Sequence, residues 1–162
     1  MGDCNIREIE NEELSISANV IRESFLTVAT QFHLTKDNCS TNGAFIETGR
    51  VARDRVNGIK MFGLFKANKQ IGFVGIAKYD NNTYEMKKLS VLPDYRHNNY
   101  GKALINNVKD YVKSLNGKIL KIGIIDEHEV LKQWYLSLGF IEKRTRSFSN
   151  LPFTVCFMEL KL

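Results

Sequence analysis

Residues 84–104 read Tyr-Glu-Met-Lys-Lys-Leu-Ser-Val-Leu-Pro-Asp-Tyr-Arg-His-Asn-Asn-Tyr-Gly-Lys-Ala-Leu. The pattern predicts a β-strand ending at Pro93, a polar turn over residues 94–99, and the opening of an amphipathic helix. A strand that empties into a helix N-terminus through an Asn- and Gly-containing turn is a place to hold phosphate. The first helical turn leaves its backbone N–H groups unpaired, and the helix dipole favours an anion beside them. Arg96 and Lys102 flank the turn with positive charge.

Downstream, the helix is expected over residues 99–115, with Leu104, Val108, Tyr111, Val112 and Leu115 on one face and Asn116-Gly117 as its C-terminal stop. Residues 119–125 are apolar except for Lys121 and Gly123, as in a strand covered on both faces. Strand, helix and strand at these lengths imply a right-handed parallel crossover. A short helix follows over 127–138, with Val130, Leu131, Trp134 and Leu138 inward, and then strands at 140–148 and 153–162. Upstream, strands at 59–67 and 70–79 make a hairpin turned near Asn68-Lys69, and the turn at 80–83 returns the chain into the central strand. The glycines at 63, 72 and 75 point to close packing or a bulge there. Before these come a short strand at 5–10, a helix over 12–33, a loop, and a helix over 44–56 with Phe45, Ala52 and Val56 inward. Residues 1–162 are thus expected to form one α+β domain with a mixed, mostly antiparallel sheet.

Composition narrows the function classes. Hydrophobic residues make up 43% and charged residues 25%, ordinary values for a globular protein. No apolar run approaches the ~20 residues of a membrane span. The start, Met-Gly-Asp-Cys-Asn-Ile, has neither a signal-peptide pattern nor the Ser or Thr that N-myristoylation prefers. Three scattered cysteines (Cys4, Cys39, Cys156) and three histidines (His33, His97, His128) show no metal-ligand spacing and no disulfide framework. A cytoplasmic protein without a metal is the expectation. The net charge is +5, and between Met86 and Lys121 eight Lys or Arg face two Asp. Such a run suits nucleic acid, an anionic surface or a phosphate-rich cofactor, or is simply a solvated face.

From the residues alone, a carboxylate (Glu85) and a phenol (Tyr135) fall beside the phosphate-binding turn, because the crossover brings residues 119–125 to the same sheet edge. That set suggests proton transfer during group transfer from a phosphorylated cofactor.

The order of elements resembles the GNAT superfamily of acetyl-CoA-dependent N-acyltransferases over essentially the whole chain. Residues 89–104 resemble the family's V-x-P-x-Y-R-x-x-G-x-G/A-x-x-L motif. Residues 134–140, Trp-Tyr-Leu-Ser-Leu-Gly-Phe, resemble its L-Y-x-x-L-G-F motif. The resemblance implies about seven strands splayed between the fourth and fifth, with four helices on the two faces. It implies that the turn formed by Arg96, His97, Asn98, Asn99, Tyr100, Gly101, Lys102 and Ala103 holds acetyl-CoA through backbone N–H groups. It implies that Leu89, Ser90 and Val91 pair with the pantetheine arm, with an N–H near Val91 polarising the thioester carbonyl. Tyr135 falls on the proton donor to the leaving thiolate. Glu85 falls on the general base used by some branches, with Asp126 or Glu127 acting through water as alternatives.

Asn99 replaces the motif's first glycine, and Asn tolerates left-handed turn geometry. His128 stands where the family has a cofactor-contacting asparagine, and reads as a surface or capping residue. Trp134 replaces an aliphatic residue, which reshapes the expected acceptor wall. The rival readings are a non-catalytic acyl-CoA-binding module and a basic nucleic-acid-binding domain. The amine acceptor is not encoded in any recognisable pattern. The apolar last strand offers pairing across a homodimer.

Overall fold

The computed structural model describes residues 3–162, so the N-terminal glycine considered for lipidation lies outside the described residues. Seven strands form one sheet: β1 (Cys4–Glu8), β2 (Lys60–Lys66), β3 (Lys69–Lys78), β4 (Thr83–Val91), β5 (Ile119–Ile125), β6 (Ile141–Ser147) and β7 (Thr154–Lys161). Their spatial order is β1-β2-β3-β4-β5-β7-β6, and only β4 and β5 run parallel. Four helices cover it: α1 (Leu14–Gln31), α2 (Thr48–Val56), α3 (Tyr100–Ser114) and α4 (Glu129–Ser137). No helix among the described residues is long and apolar enough to cross a membrane.

The parallel pair sets the shape of the molecule. Pairing runs from Thr83↔Ile119 to Glu85↔Lys121 and then stops, although both strands continue for several residues. Beyond Glu85 the two strands part, and the backbone groups of β4 on that side face a cleft. Buried Leu104, Ile105, Val108 and Val112 hold α3 on one sheet face; α1 and α2 pack on the other. Asn116 takes a left-handed conformation and ends α3, with the Gly117 N–H donating to the Val112 carbonyl, as the Asn-Gly pair foretells.

Several sequence expectations shift. The 44–56 helix is a short 3-10 turn at Gly43–Phe45 followed by α2 from Thr48. The later start rotates the helix phase, so Val51 is buried and Val56 is 85% exposed. In α4, Val130 is exposed and Lys132 is buried, because the helix begins two residues later than its pattern suggests. The apolar β7 lies between β5 and β6 and both its edges are occupied, so it cannot pair across a dimer. The free edges belong to β1 and β6.

Candidate active site

The turn behaves as its composition requires. His97 and Asn99 both adopt positive φ, the left-handed geometry that carries the chain from the 3-10 turn at Pro93–Tyr95 into α3. Asn98 donates from its side chain to the Tyr95 and Arg96 carbonyls and locks the bend. From His97 to Lys102, no backbone N–H finds an acceptor among the described residues; the first that does is Ala103, bonded to Asn99. Six consecutive donors at the head of a 15-residue helix form an anion cradle. Gly101 keeps it open on one side: a Cβ there would sit 3.1 Å from the Trp134 indole.

The side chains of the turn divide by role. His97, Asn98, Asn99 and Lys102 are exposed. Tyr100 turns its ring inward, with its hydroxyl near Cys4 and the Lys66 ammonium, so it serves the core. Arg96 also folds back. Its guanidinium donates to the Ser24 carbonyl (2.7 Å), the Thr27 hydroxyl (3.0 Å) and the Val91 carbonyl (3.2 Å). Burial lowers its pKa from the usual arginine value. Arg96 is therefore a brace between α1 and the turn, and its charge is not aimed outward. Removing three such bonds costs about 1–3 kcal/mol. Arg96→Ala should lower the melting temperature and raise KM for the bound cofactor several-fold with a smaller change in kcat, measured by thermal denaturation and steady-state kinetics.

Strand β4 carries a bulge where the glycines signalled close packing. The register with β3 slips between Phe73 and Gly75, and Lys88 sits at φ 55. Gly72 permits it, since a Cβ there would lie 3.0 Å from the Ser90 carbonyl oxygen. The Ser90 hydroxyl spans the bulge by donating to the Lys88 carbonyl at 2.8 Å. Past the bulge, the Leu92 N–H bonds to Ile71 in β3. Strand alternation then turns the N–H groups of Leu89 and Val91 toward the cleft.

Glu85 occupies the last paired position before the strands part, and its carboxylate meets the Lys87 ammonium at 3.0 Å. Six residues separate it from Val91, roughly 20 Å of strand before the bulge shortens it. Tyr135 is 5% exposed, edge-to-face with both Trp134 and Phe140. Burial pushes its phenol well above the ordinary range, so it stays protonated at any working pH. Through Trp134 it lies next to the head of α3. The indole thus packs on the cofactor side, against Gly101, where the sequence suggested the acceptor wall.

Of the two alternatives to Glu85, Glu127 is exposed and Asp126 is tied into a cluster. Asp126 is held by Lys132 at 2.7 Å, in a cluster that also joins Glu142 (3.3 Å) and the buried thiol of Cys156. Asp126, Glu142 and Cys156 converge as metal ligands would, but the Lys132 ammonium stands among them. Burial and the Glu142 carboxylate push the Cys156 thiol up to about 11, which leaves it unreactive. His128 is the N-cap of α4, accepting from the Leu131 N–H at 3.4 Å and stacking near Phe32. Burial lowers its pKa and keeps it neutral.

Sequence reasoning missed Lys88. The bulge turns it to the same side as Lys87, into a cavity of about 290 Å³ between α1, α2 and β4. Its ammonium donates to the Thr41 carbonyl at 3.1 Å and lies 5.4 Å from the Phe25 ring centroid. Burial, with help from Arg50 and Lys87 and against Asp54 and Cys39, lowers its pKa to about 8. The folded protein then sheds this proton near pH 8, while the unfolded chain keeps it until about 10.5. Between those values the unfolded state binds more protons, so stability rises with pH. The rise should be on the order of 2 kcal/mol, allowing for water at the cavity mouth, and Lys88→Met should abolish it. Denaturant midpoints at pH 7 and pH 10 check this.

The sheet thus splits beyond a short parallel pairing, and a helix head with unpaired backbone amides lies at the split. Residues 57–142 match the family model of the acetyltransferase (GNAT) domain, more than half of the chain, and the protein belongs to that family. No curated protein sequence matches the chain significantly. Among solved structures, the ribosomal-protein-S18-alanine N-acetyltransferase from Escherichia coli is similar at TM-score 0.76 and 17% identity, over 98% of this chain and 93% of that one. The PaiA N-acetyltransferase from Thermoplasma acidophilum, in complex with coenzyme A, is similar at 0.75 and 20%, over 98% and 99%. YncA, a putative acetyltransferase from Salmonella typhimurium with acetyl-CoA, is similar at 0.74 and 16%, over 99% and 95%. At these identities the likeness concerns the fold.

Proposed function

We propose that the whole chain works as one acetyl-CoA-dependent N-acetyltransferase domain, moving the acetyl group directly from coenzyme A to a primary amine. The observation that carries this reading is the run of six unpaired N–H groups at residues 97–102 beside the split of β4 from β5. The pyrophosphate would rest on those donors, and the pantetheine arm would take up the cleft-facing edge of β4 at Leu89–Val91, where Arg96 already holds the Val91 carbonyl. The Val91 N–H would polarise the thioester carbonyl. The amine nitrogen attacks the carbonyl carbon, the carbon–sulfur bond breaks, Tyr135 donates a proton to the departing thiolate, and the proton the nitrogen sheds on forming the amide returns through water to the Tyr135 phenolate. The unperturbed pKa of an alkyl ammonium is near ~10, so the amine must lose a proton before it attacks. Glu85 takes it through a chain of several waters, because the strand distance is too long for direct contact.

Coenzyme A complexes among the structural relatives support the donor. The test is thiol release from acetyl-CoA across amine classes, with mass analysis of the product. Turnover of at least one amine with a gain of one acetyl group is the expected result. Tight coenzyme A binding with no turnover on any amine would leave only an acyl-CoA-binding module.

A further inference from the structure

The cavity between α1, α2 and β4 adjoins the stretch of β4 that would carry the thioester, and it is built from charge. Lys87, Lys88 and Arg50 line it against one carboxylate, Asp54. Arg50 is already paired with Asp54 at 2.9 Å, and Lys87 with Glu85 at 3.0 Å. Lys88 has no acidic partner within ion-pair distance among the described residues; its ammonium meets a backbone carbonyl and an aromatic face instead. That carbonyl, the ring and the more distant Asp54 offset only part of the cost of holding the ammonium there. The bulge that places it there is itself a strained, positive-φ conformation at a non-glycine residue. The cavity, about 290 Å³, has room for a group the size of an amino acid.

We propose that this cavity is the acceptor's anion subsite, and that the acceptor is a small amine bearing a carboxylate, held by Lys88 with Arg50 and Lys87 as supporting cations. Lys88 accepts the carboxylate as its missing counter-ion. The cavity carries three cations against one anion of its own, so a single negative charge is favoured and a polyamine is repelled. The amine end is then directed along β4 toward Val91, where the acetyl group would lie. This inference rests on the acetyltransferase reading for the identity of the site as an acceptor site, but the anion subsite can be measured apart from turnover.

Two measurements test it. In the first, succinate is titrated calorimetrically into the coenzyme A complex of the native protein and of Lys88→Met. Native binding, weakened at least tenfold by the substitution with coenzyme A affinity unchanged, is expected. Equal affinity in both proteins, or no binding to the native protein, overturns the subsite whatever the catalytic result. In the second, acidic amines are compared with their amides by thiol release. A kcat/KM at least tenfold higher for the acid, lost in Lys88→Met through KM, is expected. A uniform fall in kcat for acids and amides alike would make Lys88 a general base and overturn the anion role. If succinate binds as expected while no amine is turned over, the acetyltransferase reading fails and the subsite stands.

Discussion

Gly101→Glu should weaken coenzyme A binding more than 100-fold while the fold survives. The substitution puts a carboxylate in the first turn of α3, within about 5 Å of the proposed pyrophosphate site. At an effective dielectric near ~20, that repulsion costs roughly 3 kcal/mol, which is more than two orders of magnitude in Kd. A Cβ at this position also meets the Trp134 indole at 3.1 Å and must displace it. Glutamate near a helix N-terminus is favourable for the helix itself, which offsets part of the cost of moving the indole. Gly101→Ala separates the two effects, since it asks only for a small indole shift and should cost less than about fivefold. Calorimetric titration of coenzyme A with parallel melting curves checks both variants. Unchanged affinity in Gly101→Glu would remove the turn from the binding site.

The second large effect belongs to Tyr135. Tyr135→Phe keeps the ring packing against Trp134 and Phe140 and deletes only the hydroxyl. If that hydroxyl protonates the leaving thiolate, kcat should fall about 100-fold, with KM for acetyl-CoA within twofold of native. Melting temperature should hold or rise slightly, because the hydroxyl has no hydrogen-bond acceptor among the described residues. An unchanged kcat would make Tyr135 a core aromatic and nothing more. The phenol's raised pKa fits a donor that never loses its proton to solvent, and it means the transfer completes only onto a thiolate in an equally dry setting.

The fold was legible where pattern and chemistry agreed. Residues 119–125 form β5 with the expected bounds, because a run covered on both faces reads the same from either side. The Asn-Gly stop of α3 and the left-handed Asn99 follow from backbone preferences that need no tertiary context. Legibility failed where a helix start shifted by a few residues. Val56 and Val130 were assigned to the core on period alone, and the true starts of α2 and α4 turn both outward.

The candidate site was half legible. The turn and the central strand lie side by side, and Tyr135 packs near them through Trp134, because contiguous motif residues carry each of them. Arg96 was located but misread as a charge facing phosphate. Its partners Ser24 and Thr27 lie about seventy residues away on α1, and local sequence cannot show them. Lys132 was invisible for the same reason, since Asp126 and Glu142 reach it from β5 and β6 ends. Lys88 had a signal that went unused. The glycines at 72 and 75 lie opposite Val91 and Lys87, which gives β4 one extra residue, and such a bulge is what lets the neighbouring Lys87 and Lys88 side chains share one face. Structure also disperses the basic run of residues 86–121. Lys88 enters a cavity, Arg96 braces α1, and Lys121 is buried between the Tyr79 and Phe157 rings. No continuous stripe for nucleic acid results from these three.

The unpaired amides at the head of α3 would hold the cofactor's phosphates. Amide-resolved NMR of the native protein, titrated with coenzyme A, tests it most directly. The N–H signals of residues 97–102 should move downfield together on binding, and those of Leu89 and Val91 should follow. Saturable coenzyme A binding that leaves these amides in place, with shifts elsewhere on the surface, would contradict it.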